Sequence, residues 1–192
     1  MAADPIARFR RWFEEARRAR IPQHEAAALA TSDRRGRPSV RFVLVKQFDR
    51  RGFVFFTNLR SRKGRELLDN PYAALAIYWD QTGKQVRIEG KVREVSPSEA
   101  DAYWASRPRA HNVAALASNQ SAPLHSRREL LARFRKLHRF YEGLHLPRPR
   151  GWTGFRIVPD AIEFWTRRED RLHHRELFAR RGRAWRRTLL HP

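Results

Sequence analysis

Residues 39–57, SVRFVLVKQFDRRGFVFFT, contain two apolar runs on either side of a polar turn, and this pattern decides the fold class. Residues 39–48 and 53–57 are rich in Val, Leu and Phe, which strands prefer. Residues 49–52 combine Asp, two Arg and Gly, the composition of a hairpin connection. The stretch therefore predicts two antiparallel strands joined by a short turn.

The rest of the chain repeats this strand-and-turn pattern with helices inserted. Further strands are predicted at residues 26–31, 72–79 and 85–95 and in several runs after residue 152. Helices are predicted over residues 5–20, 61–68, 97–107 and 126–141. There is no βαβ repeat and no GxGxxG motif, which argues against a Rossmann fold. We predict six to eight strands in an antiparallel barrel with flanking helices, mainly β.

Composition narrows the classes of chemistry. The 192 residues include no cysteine, so disulfides, thiolate metal sites and cysteine nucleophiles are excluded. HExxH and GxSxG motifs are absent, and no metal site is predicted. Residues 1–20 contain no apolar run of signal-peptide length, and no apolar run elsewhere could span a bilayer, so we expect neither a signal peptide nor a membrane-spanning segment. We expect a cytoplasmic protein with a helical segment at residues 1–25 and a single domain at 26–192.

The formal net charge of +21 permits two interpretations. Such a charge is common among nucleic-acid binders. However, the 36 arginines and 5 lysines are scattered along the chain rather than gathered in one tail or stripe. A surface rich in arginine with a site for small anionic ligands explains the charge equally well. We expect nucleic-acid binding not to be the primary function.

Ser61-Arg62-Lys63 stands at the start of a predicted helix, with Ser61 at the N-cap. Free backbone N–H groups and the helix dipole favour an anion at this position, and two cations add to the attraction. The segment is therefore a candidate phosphate cradle. The alternative is an ordinary capped helix with solvated charges.

Arg171, His173 and Arg175 alternate along the chain. On a strand they would share one face, about 7 Å apart. Such a face is costly to bury without anions, so it either lines an anion pocket or faces water. Arg41 and Lys46 have opposite parity, and a regular strand would place them on opposite faces.

Tyr103, Arg107 and His111 are spaced four residues apart, which on one helix would give a shared face. Pro108 is expected to break the helix, which would place His111 on the next turn. Tyr and Arg side chains can donate hydrogen bonds to phosphate oxygens. The alternative is the edge of a surface helix.

Seven segments in order resemble the pyridoxamine 5'-phosphate oxidase family, from about residue 28 to residue 192. They are residues 41–46, 56–57 with 61–63, 85–90, 103–109, 118–121, 163–165 and 171–175. The resemblance implies an FMN-binding split β-barrel and a homodimer with FMN at the subunit interface. It implies the oxidation of pyridoxamine or pyridoxine 5'-phosphate to pyridoxal 5'-phosphate by O2, which yields hydrogen peroxide.

The resemblance also assigns residues to ligands. It implies FMN contacts from Arg41, Phe42, Val43, Leu44, Val45, Lys46, Phe56, Thr57, Arg62, Lys63, Gln85, Gln120, Ser121, Trp165 and Arg175. It implies contacts to the small phosphorylated pyridine from Lys46, Tyr103, Arg107, His111, Arg171 and His173. Arg171 and His173 are the candidate catalytic residues.

Departures from the family pattern cluster around the implied substrate. In this chain His111 replaces the family's usual serine, Asn112 replaces glutamine and Leu116 replaces tryptophan. Likewise, His174 replaces aspartate, Phe56 replaces tyrosine and Leu189 replaces arginine. Two alternatives therefore remain open. One is a paralogous flavin oxidase, similar to the phenazine-biosynthesis branch, that acts on another anionic ring. The other is a non-enzymatic FMN-binding protein of the same fold.

Overall fold

One nine-stranded antiparallel sheet organises the computed structural model, which describes residues 4–192. Its strands are β1 (Ala26–Ser32), β2 (Pro38–Leu44), β3 (Gln47–Asp49), β4 (Gly52–Asn58), β5 (Tyr72–Trp79), β6 (Lys84–Glu94), β7 (Trp152–Thr166), β8 (His174–Arg181) and β9 (Ala184–Leu190). The helices are α1 (Pro5–Arg18), α2 (Arg62–Asp69), α3 (Pro97–Ser106), α4 (Arg109–Ala117) and α5 (Arg127–Phe140). The predicted mainly antiparallel architecture with flanking helices is confirmed.

The long strand β7 pairs with three other strands, β4, β6 and β8. The strand order is β2-β1-β5-β6-β7-β4-β3, and β8 and β9 extend from β7. One edge of β7 pairs with β6, while the other edge pairs first with β4 and then with β8. The Lys46 backbone N–H, just after β2, donates to the Val54 carbonyl of β4 at 2.9 Å, so the two ends of this order meet. The sheet therefore closes around a core.

Helix α1 closes this core. Asp4 caps the helix by accepting the Ile6 N–H at 2.9 Å. Phe9 is fully buried, and its ring lies 4.8 Å from those of Phe48 and Phe53 in edge-on contacts. Aromatic pairs in this geometry stabilise beyond the area that they bury. Residues 1–3 of the predicted N-terminal segment lie outside the described residues.

The prediction of one continuous strand over residues 39–48 was wrong. Strand β2 ends at Leu44 and β3 begins at Gln47. Between them, the Val45 N–H donates to the Glu25 carbonyl while the Lys46 N–H donates to Val54. At this point the chain therefore stops pairing beside β1 and begins to pair with β4. This transfer divides the predicted strand and brings the number of strands to nine.

The sequence interpretation also missed helix α4. Helix α3 ends at Ser106, and Pro108 is the N-cap of α4. Proline has no N–H to continue α3, but its fixed φ angle suits the start of a new helix. The described helices include none that is both long and apolar enough to span a bilayer.

Candidate functional site

A cavity of about 420 Å³ lies where β4, α3 and α4 meet. It is lined by Leu44, Lys46, Phe56, Thr57, Asn58, Tyr103, Arg107, His111, Ala114, Ala115, Ser118, Gln120 and Trp152. Because α4 starts shortly after α3, the structure brings Tyr103, Arg107 and His111 to one cavity, although Tyr103 lies on α3, Arg107 between the helices and His111 on α4. Lys46 reaches the same cavity from the segment between β2 and β3.

Stacked aromatic rings form one wall of the cavity. The Phe56 ring lies 3.8 Å from that of Tyr103 and 5.3 Å from that of Trp152, with interplanar angles of 17° and 10°. Such a stack presents a flat apolar surface beside the polar groups of the cavity. Trp152 was missed in the sequence, where its only signal was an aromatic residue after a proline-rich linker.

The guanidinium of Arg107 is held in place by its neighbours. It lies 4.8 Å from the centre of the Trp152 ring and 5.3 Å from that of Trp104. Its Nη1 donates to Oδ1 of Asn112 at 2.9 Å, and Nδ2 of Asn112 donates to the Trp104 carbonyl at 2.9 Å. Burial lowers the pKa of Arg107. An oriented, partly desolvated guanidinium is well suited to bind an anionic group.

A second set of polar groups surrounds the start of α2. Ser61 caps this helix by accepting the Gly64 N–H at 3.2 Å, as predicted. The Lys63 ammonium lies 3.2 Å from Oγ1 of Thr57 and 3.4 Å from Oε1 of Gln120. Burial lowers the pKa of Lys63 to about 8, and the charge of Arg41 adds to this effect. Within the described residues, the hydrogen-bond partners of this ammonium are neutral, and the charge of Glu66 offsets only part of the effect of burial on its pKa, so an anion would stabilise the ammonium further.

Glu66, which the sequence interpretation missed, orients the arginines beside this ammonium. It accepts hydrogen bonds from Thr31 at 2.5 Å, Ser39 at 2.6 Å, Arg41 at 3.2 Å and Arg62 at 2.8 Å. Burial raises the pKa of this carboxyl, but the hydrogen bonds and the charge of Arg41 outweigh that effect and lower it to about 2. The i,i+4 spacing of Arg62 and Glu66 on α2 was the one sequence signal for this role.

Three further predicted residues form a row across the sheet. Gln85 pairs with Trp165, and Trp165 pairs with Arg175, on β6, β7 and β8. Directly paired residues point to the same face of a sheet, so the three side chains share one face. Buried Glu163 accepts hydrogen bonds from Arg175 at 2.8 Å and from Arg87 at 3.1 Å. We call these five residues the sheet-face group.

The prediction that Arg171, His173 and Arg175 share one strand face was wrong. Strand β8 begins at His174, and the chain before it turns, with a φ angle of 64° at Arg171. His173 nevertheless contacts the sheet-face group, since its ring lies 4.6 Å from that of Trp165. Its Nδ1 accepts the Arg168 backbone N–H at 3.1 Å. A neutral His173 therefore carries its proton on Nε2.

The remaining predicted residues are dispersed. Phe42 is 77% exposed, whereas Val43 and Val45 are buried. Ser121 lies in a turn after α4, with a φ angle of 70°, and lines an adjacent cavity of about 400 Å³.

The cavity and the sheet-face group occupy opposite ends of β7. Trp152, at the start of this strand, lines the cavity, whereas Glu163 and Trp165 lie near its end. Among the described residues, no member of the sheet-face group lines the cavity.

Comparisons with known proteins match nearly the whole chain. The family model described as "Pyridoxamine 5'-phosphate oxidase" matches residues 13–140. The model described as "Pyridoxine 5'-phosphate oxidase C-terminal dimerisation region" matches residues 152–192. The pyridoxine/pyridoxamine 5'-phosphate oxidase of Rubrobacter xylanophilus is 52% identical over 98% of this chain and 87% of its own. That of Gluconobacter oxydans is 48% identical over 100% and 96%.

Two solved structures are similar along the whole fold. PhzG from Burkholderia lata, in complex with tetrahydrophenazine-1-carboxylic acid, has a TM-score of 0.94 and 38% identity over 98% of this chain and 93% of its own. A pyridoxamine 5'-phosphate oxidase-related, FMN binding protein from Nostoc punctiforme has a TM-score of 0.81 and 17% identity over 100% of both chains. The latter shows the fold alone. The predicted split-barrel fold is confirmed.

Proposed function

Because the chain belongs to the pyridoxamine 5'-phosphate oxidase family, we propose that it uses FMN and O2 to oxidise pyridoxamine or pyridoxine 5'-phosphate to pyridoxal 5'-phosphate. With the amine as substrate, water is consumed and ammonia is released. The observation that carries this proposal is the convergence of Lys46, Tyr103 and Arg107 on one cavity beside a stacked aromatic wall. Two cations and a phenol suit a phosphate group, and the wall suits a flat ring. We place the protein in the cytoplasm.

The surroundings of Lys63 fit the phosphate of FMN. The ammonium is buried, and its hydrogen-bond partners among the described residues, Thr57, Ser61 and Gln120, are neutral. Buried charges require a partner of opposite sign, which an FMN phosphate would supply. Arg41, on the neighbouring strand β2, would add a second positive charge. The donor set at the start of α2 therefore matches the chemistry of a phosphate group.

We propose a homodimer because the predicted FMN residues lie in two separate places. Thr57 and Lys63 adjoin the cavity, whereas Trp165 and Arg175 lie at the far end of β7. One FMN could contact both groups if a second subunit brought its sheet-face group to the cavity of the first. The family model for residues 152–192, which include Trp165 and Arg175, describes a dimerisation region and supports this arrangement.

An exposed apolar surface also supports the homodimer. Val40 and Phe42 on β2 are 70% and 77% exposed. Phe42 pairs with Ala28, and Ala28 pairs with Ala76, in a row whose next members are Arg87 and Glu163. The apolar surface therefore continues into the sheet-face group. Exposed apolar patches of this kind favour association with a second protein surface.

The chain's own residues bind and orient the substrate in this proposal. FMN, when bound, supplies the two-electron acceptor, and O2 regenerates it with release of hydrogen peroxide. Lys46, Tyr103 and Arg107 hold the substrate phosphate. In the proposed homodimer, His173 would face the substrate through its Nε2, because its Nδ1 accepts the Arg168 N–H, and Arg171 would add a positive charge beside it. Fixing the reacting groups in this way accelerates a reaction through orientation.

The similarity to PhzG favours a second candidate function, the oxidation of an anionic ring that carries a carboxylate instead of a phosphate. The observations for it are the TM-score of 0.94 with 38% identity and the ligand in the PhzG complex, tetrahydrophenazine-1-carboxylic acid. His111 lines the cavity, and Leu116 lies on the same helix, α4. Their departure from the family pattern is compatible with this second candidate. The two candidates differ in whether the cavity requires a phosphate.

Steady-state turnover of the FMN-loaded protein tests the proposal. Pyridoxine 5'-phosphate, unphosphorylated pyridoxine and tetrahydrophenazine-1-carboxylate, the ligand of the PhzG complex, serve as parallel substrates, and hydrogen peroxide and pyridoxal phosphate are measured. We expect turnover of the phosphorylated substrate alone and an increase of about tenfold or more in KM for Arg107→Gln. Exposed Arg109→Gln is the matched control. Turnover of the carboxylate alone would instead establish the second candidate.

A further inference from the structure

The Glu25 carboxylate forms an ion pair with the Lys46 ammonium, one of the cations proposed to bind the substrate phosphate. Glu25 directly precedes β1, and its backbone carbonyl accepts the Val45 N–H at 2.9 Å. This bond sets Glu25 beside the segment between β2 and β3 that carries Lys46. The Lys46 ammonium donates to Oε1 of Glu25, and within the described residues this carboxylate is its hydrogen-bond partner.

The ion pair lies at the cavity. Lys46 lines the cavity together with Tyr103 and Arg107. Burial raises the pKa of Tyr103, the charge of Arg107 opposes this effect, and the charge of Glu25 adds to it. The phenol of Tyr103 is therefore within the electrostatic reach of Glu25. Both members of the pair are accessible to ligand, since 24% of the Lys46 side chain and 29% of the Glu25 side chain are exposed.

We propose that Glu25 is an internal competitor for the anionic group of the ligand and thereby sets the affinity of the site for phosphorylated substrate and product. The inference rests on the proposed function, because it concerns the same cavity. Before binding, the Glu25 carboxylate neutralises the Lys46 ammonium. A phosphate must displace this carboxylate, and it then experiences repulsion from the displaced charge. Two negative charges on the phosphate allow it to outcompete the single charge of the carboxylate.

This competition weakens substrate and product alike, because both would carry the same phosphate. Binding that is equal in the ground state and the transition state changes KM without raising kcat. Tight binding of the phosphate would also slow the departure of the product, and product release limits turnover in many enzymes. Glu25 therefore keeps the phosphate-binding residues available for repeated turnover.

Glu25→Gln removes the competing charge and retains the shape of the side chain. We expect the Kd of the FMN-loaded variant for inorganic phosphate, measured by calorimetry at low salt, to fall about fivefold, as suits a partly exposed pair. The KM for pyridoxine 5'-phosphate should fall by a similar factor, and kcat should not rise. Glu15→Gln is the matched control, because Glu15 is also paired with a lysine, Lys84, and neither residue lines the cavity.

A double-mutant cycle with Lys46→Met tests whether Glu25 acts through the ammonium. We expect Glu25→Gln to tighten phosphate binding when Lys46 is present and to have little effect in the Lys46→Met background. Unchanged or weaker phosphate binding by Glu25→Gln would overturn the inference and leave Glu25 as a residue that merely positions Lys46. An equal gain in Glu15→Gln would also overturn it, since net charge alone would explain the result. If the wild-type protein binds no phosphate at all, the proposed function fails as well.

Discussion

The Glu163 carboxylate accepts a hydrogen bond from Nε of Arg175 at 2.8 Å, and this pair anchors the sheet-face group. Glu163 is 6% exposed and also contacts Arg87, so one buried carboxylate orients two arginines. Arg175 was predicted from the sequence as an FMN residue, whereas Glu163 entered only as part of a motif. Glu163 therefore fixes the orientation of Arg175, a proposed FMN contact.

Replacing Glu163 with Gln should weaken FMN binding about tenfold and lower the free energy of unfolding by about 1–3 kcal/mol, because Arg175 loses its charged partner. FMN affinity is measured by quenching of flavin fluorescence, and stability by urea unfolding. Glu89→Gln is the control, since Glu89 also pairs with Arg87 but is 47% exposed. Equal losses in both variants would show that Glu163 does not orient Arg175.

Lys63 should make FMN affinity depend on pH. Its pKa is about 8 in the unliganded protein because of burial and Arg41, and an adjacent phosphate would raise it. Between about pH 7 and 8 the ammonium is largely formed and the phosphate is doubly charged, so affinity should change little there. Above that pH, binding takes up a proton, and affinity should fall about tenfold per pH unit up to the pKa of the complex.

FMN titrations between about pH 7 and 9.5 measure this slope, a range in which a group with a pKa of about 8 loses its proton. Lys63→Gln should bind FMN more weakly at neutral pH but without the slope. Lys136→Gln, which removes an exposed lysine of α5, should retain the slope. A slope that survives in Lys63→Gln would assign the titration to another group.

Glu66 should contribute stability that is lost in acid. Its pKa is about 2 in the folded protein, compared with an ordinary value of 4.5, because its hydrogen bonds and Arg41 favour the carboxylate. The contribution is complete above about pH 4.5 and disappears as the pH falls to about 2. Glu66→Gln should therefore lower the free energy of unfolding by up to about 3 kcal/mol at neutral pH.

Urea unfolding of Glu66→Gln and of the wild-type protein is measured at neutral pH and at about pH 3. This comparison separates the charge effect from a packing defect. The difference between the two proteins should shrink at the lower pH. Exposed Glu94→Gln should show little difference at either pH. A difference for Glu66→Gln that is the same at both pH values would contradict the pKa assignment.

The sequence predicted those parts of the molecule that local physics determines. The apolar spacing of Phe9 and its neighbours indicated α1, and Ser61 marked the start of α2. Local patterns could not show that Glu25 bonds to Val45 and thereby divides a predicted strand. They also could not show the positive φ angle at Arg171, which depends on the turn before β8. The first feature arises from a contact between segments that are distant in the sequence. The second arises within a short loop, through bonds such as that from the Arg168 N–H to Nδ1 of His173, which periodicity does not specify.

The same limit applies to the candidate site. Tyr103, Arg107 and His111 were predicted by their spacing and line one cavity. Glu66 and Glu163 each pair with an arginine on another strand, Arg41 and Arg87 respectively. The periodicity of the sequence does not reveal such pairs. Carboxylates that orient arginines in this way can be identified once the register of the sheet is known.

Phe42→Glu should convert the proposed homodimer to a monomer. Phe42 is 77% exposed, in the row that leads into the sheet-face group, and a buried unpaired charge would oppose association there. We expect the loss of the dimer, measured by analytical ultracentrifugation, to accompany loss of FMN binding. Leu124→Glu, at an exposed apolar residue in another part of the structure, is the control. A Phe42→Glu dimer that retains FMN would place the subunit interface elsewhere.

Anaerobic reduction of the flavin tests the central claim most directly. The protein is loaded with FMN, mixed with pyridoxine or pyridoxamine 5'-phosphate without oxygen, and monitored at about 450 nm, where oxidised flavin absorbs. We predict that this absorbance is lost, that it returns when air is admitted, and that pyridoxal 5'-phosphate appears. An FMN-loaded protein that keeps its absorbance with both substrates would contradict the proposed reaction.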